Sequence, residues 1–273
     1  MNTRFPLFRL LMCALAVVFM SSCAQPAANT EEESTAEVNP AAEGFNLEAS
    51  DAKAIEIADK VMEAMGGRKA WDATRHISWN FFGFRTLTWD KHKGNVRIDV
   101  PSESSTYLYN LFTNEGRVKL KGEELTEADS VAKYLERARS IWINDAYWLV
   151  MPFKLKDSGV TLKYVGQDST MAGVMSDVLS LTFEEVGVTP ENKYLVYVDP
   201  ETSLITQWDY YQDASQESTE RMFPWNDYKP YGEILLSGDR GESPRGKREL
   251  TDIRVVDSLA LSAYTEFNEV VWN

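Results

Sequence analysis

The chain has 273 residues and a formal charge of −14, with 44% hydrophobic and 12% aromatic residues but only two Cys and two His. That acidity excludes a nucleic-acid binder and a basic patch held to an anionic bilayer, both of which need a cationic face, and two Cys cannot build a disulfide framework or a four-thiolate metal site. The apolar content is enough for a packed core, which excludes wholesale disorder, and the length fits one large domain or two small ones.

Residues 1–22 read as a signal peptide. Arg4 and Arg9 make the start positive, and Leu10–Met20 is an apolar run too short to span a bilayer yet suited to a signal core. Ser21 and Ser22 precede Cys23, an arrangement that resembles the lipobox of bacterial lipoproteins, whose Cys is acylated and becomes the new N-terminus. The resemblance implies a chain held to the membrane by lipid on Cys23, each buried methylene adding about 0.8 kcal/mol. Ala24 follows, so the Asp that retains many lipoproteins in the inner membrane is absent, and the outer membrane is the expected location. Loss of Arg4 and Arg9 takes the charge from −14 to −16. Residues 23–46 are rich in Ala, Glu, Pro, Asn, Ser and Thr, cannot bury enough surface to offset their ordering entropy, and read as a tether. Residues 47–273 are then expected to form one domain.

A first helix is expected from Ser50 to Met65, with Ser50 as cap and Ala54, Ala58, Val61, Met62 and Met65 on one face; Gly66 and Gly67 stop it. Short strands follow: Ile77–Phe81, Thr86–Asp90, Asn95–Val100, Ser105–Thr113 and Arg117–Lys121. Their separators, among them Lys93-Gly94-Asn95 and Asn114-Glu115-Gly116, tolerate positive φ, which predicts an antiparallel meander. A second helix is capped by Thr126 and Asp129 and carries Val131, Tyr134, Leu135, Ala138, Ile141 and Trp142 as its apolar stripe until Pro152 ends it. A second run of strands is expected at Val160–Val165, Val174–Glu184, Lys193–Asp199, Ser203–Tyr211, Glu220–Tyr228, Gly232–Ser237, Lys247–Val256 and near Thr265–Val270. Asn226-Asp227 and Gly238-Asp239-Arg240-Gly241 read as turns. The order predicts an α+β fold: one strongly curved antiparallel sheet with two helices on its concave side.

Catalytic chemistry finds few residues. His76 and His92 have no ligand-spaced partner and read as surface residues, so no metal site is expected. No nucleophile elbow, phosphate loop or dinucleotide fingerprint occurs. Carboxylate pairs such as Glu123-Glu124, Glu184-Glu185 and Asp209 with Asp213 are as frequent as chance makes them. The excess is aromatic: all eight Trp and twelve Tyr lie beyond residue 70. Several strands carry large residues at both parities, as in Trp79, Phe81, Phe82 and Phe84, or Trp208, Tyr210 and Tyr211. A sheet with one wet face alternates instead. Two readings follow, a large core wrapped round two helices or a lined apolar cavity.

The element order, and the hairpin Val-Tyr-Val-Asp-Pro-Glu-Thr-Ser-Leu-Ile within 194–206, resemble the LolA/LolB/RseB superfamily of lipoprotein-binding proteins. The segments 64–71 and 144–153 are more specifically similar to an uncharacterised family of Bacteroidetes lipoproteins. The resemblance implies a half-open barrel with helices as a lid over an acyl-chain cavity, no cofactor and no enzymatic activity. The expected cavity face is Ile77, Trp79, Phe81, Trp89, Ile98, Leu162, Leu181, Phe183, Val196, Trp208 and Tyr210, and the gating helices contribute Val61, Met62, Leu135 and Trp142. The implied partner is a lipid or the acyl chains of a lipoprotein. The alternatives are a sensory or scaffold module with a protein partner, the role of RseB, and a carboxylate-dependent hydrolase. Met222-Phe223-Pro224-Trp225 reads either as an exposed tip like that of LolB or as strand.

Overall fold

The computed structural model describes residues 38–184, 186–219, 221–244 and 246–272; Cys23, the signal segment and most of the tether lie outside them. Ala54, Ile57, Ala58, Val61 and Met62 recur at helical spacing and form the buried face of α1 (Ala52–Ala64). Its cap is Asp51 rather than Ser50, and neither side chain caps the helix. The Asp51 carboxylate accepts from the Tyr164 backbone N–H and from Lys163, each at 3.0 Å. The Ser50 hydroxyl donates to the Asn46 carbonyl and accepts from the Leu162 N–H. Residues that would cap the helix instead bolt its start to a strand more than a hundred positions away. Gly66 ends α1 with φ of 112°, and a Cβ there would stand 2.2 Å from the Glu233 carbonyl oxygen, so turn and close approach both require glycine. The short α2 (Gly67–Ala73) carries Trp71, stacked on Phe153 with centroids 4.3 Å apart.

The first strands are β1 (His76–Phe81), β2 (Arg85–Asp90), β3 (Asn95–Val100), β4 (Ser105–Asn110), β5 (Gly116–Leu120) and β6 (Glu123–Glu124). Next comes α3 (Ala128–Val150), whose N-cap is Glu127: its carboxylate accepts from the Asp129 and Ser130 N–H groups. After it run β7 (Val160–Ser169), β8 (Met175–Phe183), β9 (Lys193–Val198), β10 (Ile205–Tyr211), β11 (Met222–Pro224), β12 (Asn226–Tyr231), β13 (Ile234–Ser243), β14 (Gly246–Val256) and the one-turn α4 (Ser262–Thr265). The fold is α+β and antiparallel, with its strands shared between two open sheets. The larger has the order β12-β13-β14-β1-β2-β3-β4-β5-β6 and the smaller β11-β10-β9-β8-β7. One continuous core runs from Ile77, Trp79, Leu87, Ile98 and Val118 of the larger sheet through Ala138 and Leu149 of α3 to Leu162, Leu179, Leu181 and Val196 of the smaller.

Several local expectations are corrected. The strand expected at Glu220–Tyr228 divides at buried Trp225, where the chain passes from the smaller sheet (β11) to the larger (β12). The Gly238–Gly241 turn is instead part of β13. A register shift between Asp239 and Glu242 makes a bulge there, and Gly241 at φ 78° brings the strand against Pro224, 2.8 Å from where a Cβ would stand. The strand expected near Thr265–Val270 is absent: after α4 the chain runs irregularly, its Ala263 and Glu266 carbonyls held by Arg97 and its Thr265 carbonyl by Arg117. His76 is buried, not exposed, because Tyr264 covers it with a 2.8 Å hydrogen bond to Nδ1. Packing also begins upstream of residue 47, with Asn39 bonded to Asp59 and Phe45 buried.

Candidate functional site: an aromatic cleft

The site starts from how α3 is fixed. Two buried polar contacts, one turn apart, hold its second half. Asp145, with no exposed surface, receives a bidentate pair from Arg85 of β2 at 2.6 and 2.8 Å. Burial pushes its carboxyl above the usual range, and Arg85 pulls against that. Arg240, turned inward by the β13 bulge and also wholly buried, donates to the Trp148 carbonyl at 2.7 Å and lies over the Trp225 ring at 3.5 Å. Burial brings its guanidinium down to about 9, still charged at neutral pH. A cation on a carbonyl in the last turn also opposes the negative end of the helix.

So held, α3 presents Trp142, Ile143, Asn144, Tyr147 and Trp148 to the smaller sheet across an open cleft of about 610 Å³. The opposite wall is Phe183 of β8, Tyr194 of β9, Trp208 and Tyr210 of β10 and Phe223 of β11, and the loop Val186–Thr189 forms one rim. Beyond a register shift between Ile205 and Gln207, β10 pairs in regular alternation with β9. The pairing sets Trp208 opposite Val196 and Tyr210 opposite Tyr194, on the cleft face. Asp209 and Tyr197 occupy the other face and bond to each other at 3.0 Å.

The rings are ordered against one another. Tyr194 stacks on Trp208 at 4.8 Å and 23°, and Trp148 meets Trp208 edge-on at 4.7 Å and Phe223 edge-on at 4.9 Å. Such pairs contribute about 0.5–1.5 kcal/mol beyond area burial, so the wall holds its shape without a ligand. Burial pushes the Tyr147 and Tyr194 hydroxyls well above their ordinary values, so both are neutral. Lys154 and Asp157 pair with each other on the wall, and Arg221 lies over the Tyr210 ring at 5.4 Å. Among the described residues Asp157 is the only carboxylate lining the cleft. Glu123, Glu124, Glu184 and Asp213 are exposed elsewhere. No cluster of three or more His, Cys, Asp or Glu that could hold a metal occurs among the described residues, and no helix there is long and apolar enough to cross a membrane. A second hollow of about 320 Å³ beside α1 is lined by charged Glu56, Asp59, Lys60 and Glu63.

The expected cavity residues divide. Trp142, Phe183, Trp208 and Tyr210 line the cleft. Ile77, Trp79, Ile98, Leu162, Leu181, Val196 and Val61 have no exposed surface, and Phe81, Trp89, Met62 and Leu135 are buried with them in the core. Trp89 reaches the cleft only indirectly, edge-on against Trp142 at 5.3 Å. Sequence reasoning missed Ile143, Tyr147, Trp148, Tyr194, Phe223 and Arg221. The available signals were the apolar run continuing past Trp142 and the shared parity of Tyr194 and Val196. Of the segment 222–225, Met222–Pro224 is strand, with Phe223 on the cleft wall, and Trp225 is buried.

Fold and site together define a class: an α+β protein of two open antiparallel sheets with an aromatic cleft between a helix and the smaller sheet. No family model matches the chain, and no curated protein matches it. Among solved structures it is similar to a DUF1329 family protein from Desulfovibrio piger ATCC 29098, at 14% identity and TM-score 0.43, over 78% of this chain and 97% of that one. It is also similar to MucB, solved in complex with MucA(peri), at 14% identity and TM-score 0.21, over 81% of this chain and 62% of MucB.

Proposed function

We propose that this protein is a non-enzymatic binding protein of the bacterial envelope, of LolA/LolB/RseB-like half-barrel type, that holds an apolar ligand such as a lipid or the acyl chains of a lipoprotein. One observation carries the reading: an open cleft of about 610 Å³ walled by Trp142, Tyr147, Trp148, Phe183, Tyr194, Trp208, Tyr210 and Phe223. Small-ligand sites span about 300–1,000 Å³ and combine apolar walls with a few polar groups. Affinity in such a site comes from apolar area removed from water, at about 25 cal/mol per Å². Among the described residues the wall offers neutral phenols and one carboxylate already paired with Lys154, which suits holding a molecule rather than transforming it. In this reading Cys23 carries the lipid that anchors the chain to the outer membrane, residues 23–46 tether it, and one domain follows.

The test is solvent extraction of the purified full-length protein followed by mass spectrometry, with titration of an environment-sensitive apolar fluorophore. Bound lipid or a saturable apolar site is expected. Ile143→Trp, which fills the cleft, is expected to weaken probe binding by about tenfold or more. Absence of both lipid and saturable probe binding overturns the proposal.

A further inference from the structure

Among the described residues that line the cleft, cations outnumber carboxylates. The protein is at −14, yet the carboxylate on the cleft wall is already neutralised by Lys154. Arg221, also on the wall, has no carboxylate partner among the described residues. Its guanidinium lies over the Tyr210 ring, 5.4 Å from the centroid. Arg248 of β14, likewise without a carboxylate partner among the described residues, lies over the neighbouring wall ring, Phe223, at 4.7 Å. Several other arginines of this fold pair with acids: Arg68 with Asp72, Arg75 with Asp90, Arg97 with Asp99 and Arg117 with Glu124. Two arginines laid on wall rings are attracted by the ring faces and keep their N–H edges free. A guanidinium edge matches a carboxylate or phosphate with two parallel hydrogen bonds.

We infer that the cleft takes an anionic amphiphile, its apolar body against Trp148, Tyr194 and Trp208 and its acidic head group on Arg221, with Arg248 adding charge beside it. The inference rests on the apolar-cleft reading and adds the head group. A carboxylate and a phosphate monoester share the chemistry that these arginines recognise. Among the described residues the wall carries Lys154 and Arg221 against Asp157, an excess of positive charge that draws such ligands toward an otherwise acidic surface.

The experiment measures the affinity of the full-length protein for three single-chain ligands below their aggregation limits: palmitate, a lysophosphatidate and uncharged hexadecanol. Both anions are expected to bind about tenfold more tightly than the alcohol. That preference is expected to shrink with added salt and to collapse toward unity in Arg221→Gln, with a smaller reduction in Arg248→Gln. Palmitate above lysophosphatidate, or the reverse, assigns the head group. Equal binding of all three by the unaltered protein overturns the head-group assignment while leaving the apolar cleft in place. Failure of all three to bind overturns both. An anion preference that survives in both Arg221→Gln and the double variant overturns the role given to these arginines.

Discussion

The two sheets share one helix and use it in opposite ways. Against the larger sheet, Leu135 and Ala138 of α3 are buried in one core with Trp79, Ile98 and Tyr107. Against the smaller sheet, Trp148 of the same helix meets Trp208 and Phe223 edge-on, yet an open cleft of about 610 Å³ remains between helix and strands. The residue types are alike on both sides, so aromatic content does not separate them. The difference is rigid spacing: Arg85 of β2, paired with Asp145, and Arg240 of β13, donating to the Trp148 carbonyl, tie the end of α3 to the larger sheet. A helix pinned in this way cannot collapse onto the smaller sheet to fill the gap.

The contrast can be broken most forcefully by truncating one large ring on each side. Trp79→Ala removes a fully buried ring and is expected to lower the unfolding free energy by about 3–5 kcal/mol. Tyr210→Ala, at the cleft rim, is expected to cost about 1 kcal/mol or less. Equal losses in chemical denaturation would mean that the cleft wall is core like any other. Next in size, Arg85→Ala strands the buried Asp145 carboxylate and is expected to cost about 3 kcal/mol. Because it releases α3, the same variant should also weaken apolar-probe binding, a readout that a merely local loss would leave unmoved. A smaller structural effect with a large functional one is expected from Tyr194→Ala, which unstacks Trp208. Its melting temperature should fall by less than that of Trp79→Ala while probe affinity falls by about tenfold.

The smallest effect is pH-dependent and belongs to the larger sheet. Burial beneath Tyr264 holds the His76 imidazole below its ordinary value of 6.5, against the raising pull of Asp90. The unfolded chain therefore binds this proton before the folded one does. The contribution is intact above pH 6.5 and is lost as pH falls through that value toward the depressed folded pKa. Melting temperatures between pH 7.5 and 5 should fall, and His76→Gln should flatten that part of the profile. Identical profiles for the two proteins would contradict it.

Much of the framework was legible because it rests on local chemistry. The apolar spacing of α1, the glycine stop at Gly66 and the Asn/Gly turns between β1 and β5 each follow from short-range geometry. Illegible were features in which one residue changes the register. The β13 bulge that buries Arg240 is invisible to a period of two, and so is the register shift in β10 between Ile205 and Gln207. The Glu220–Tyr228 segment looked continuous because nothing in its sequence marks Trp225 as a passage between sheets. For the same reason the expected cavity face mixed two populations. A strand pattern shows which residues share a face, not whether the facing helix is close enough to seal them, and that distance depends on ties from Arg85 and Arg240 to a helix remote in sequence.

The most direct test of the central claim uses the tryptophans as reporters. Trp142, Trp148 and Trp208 line the cleft, whereas Trp79 lies in the sealed core. A fatty acid brominated along its chain quenches indole fluorescence only at short range. Saturable quenching is expected, lost when Trp142, Trp148 and Trp208 are together replaced by Phe and retained in Trp79→Phe. Absence of saturable quenching, or quenching that survives the triple replacement, would contradict the account.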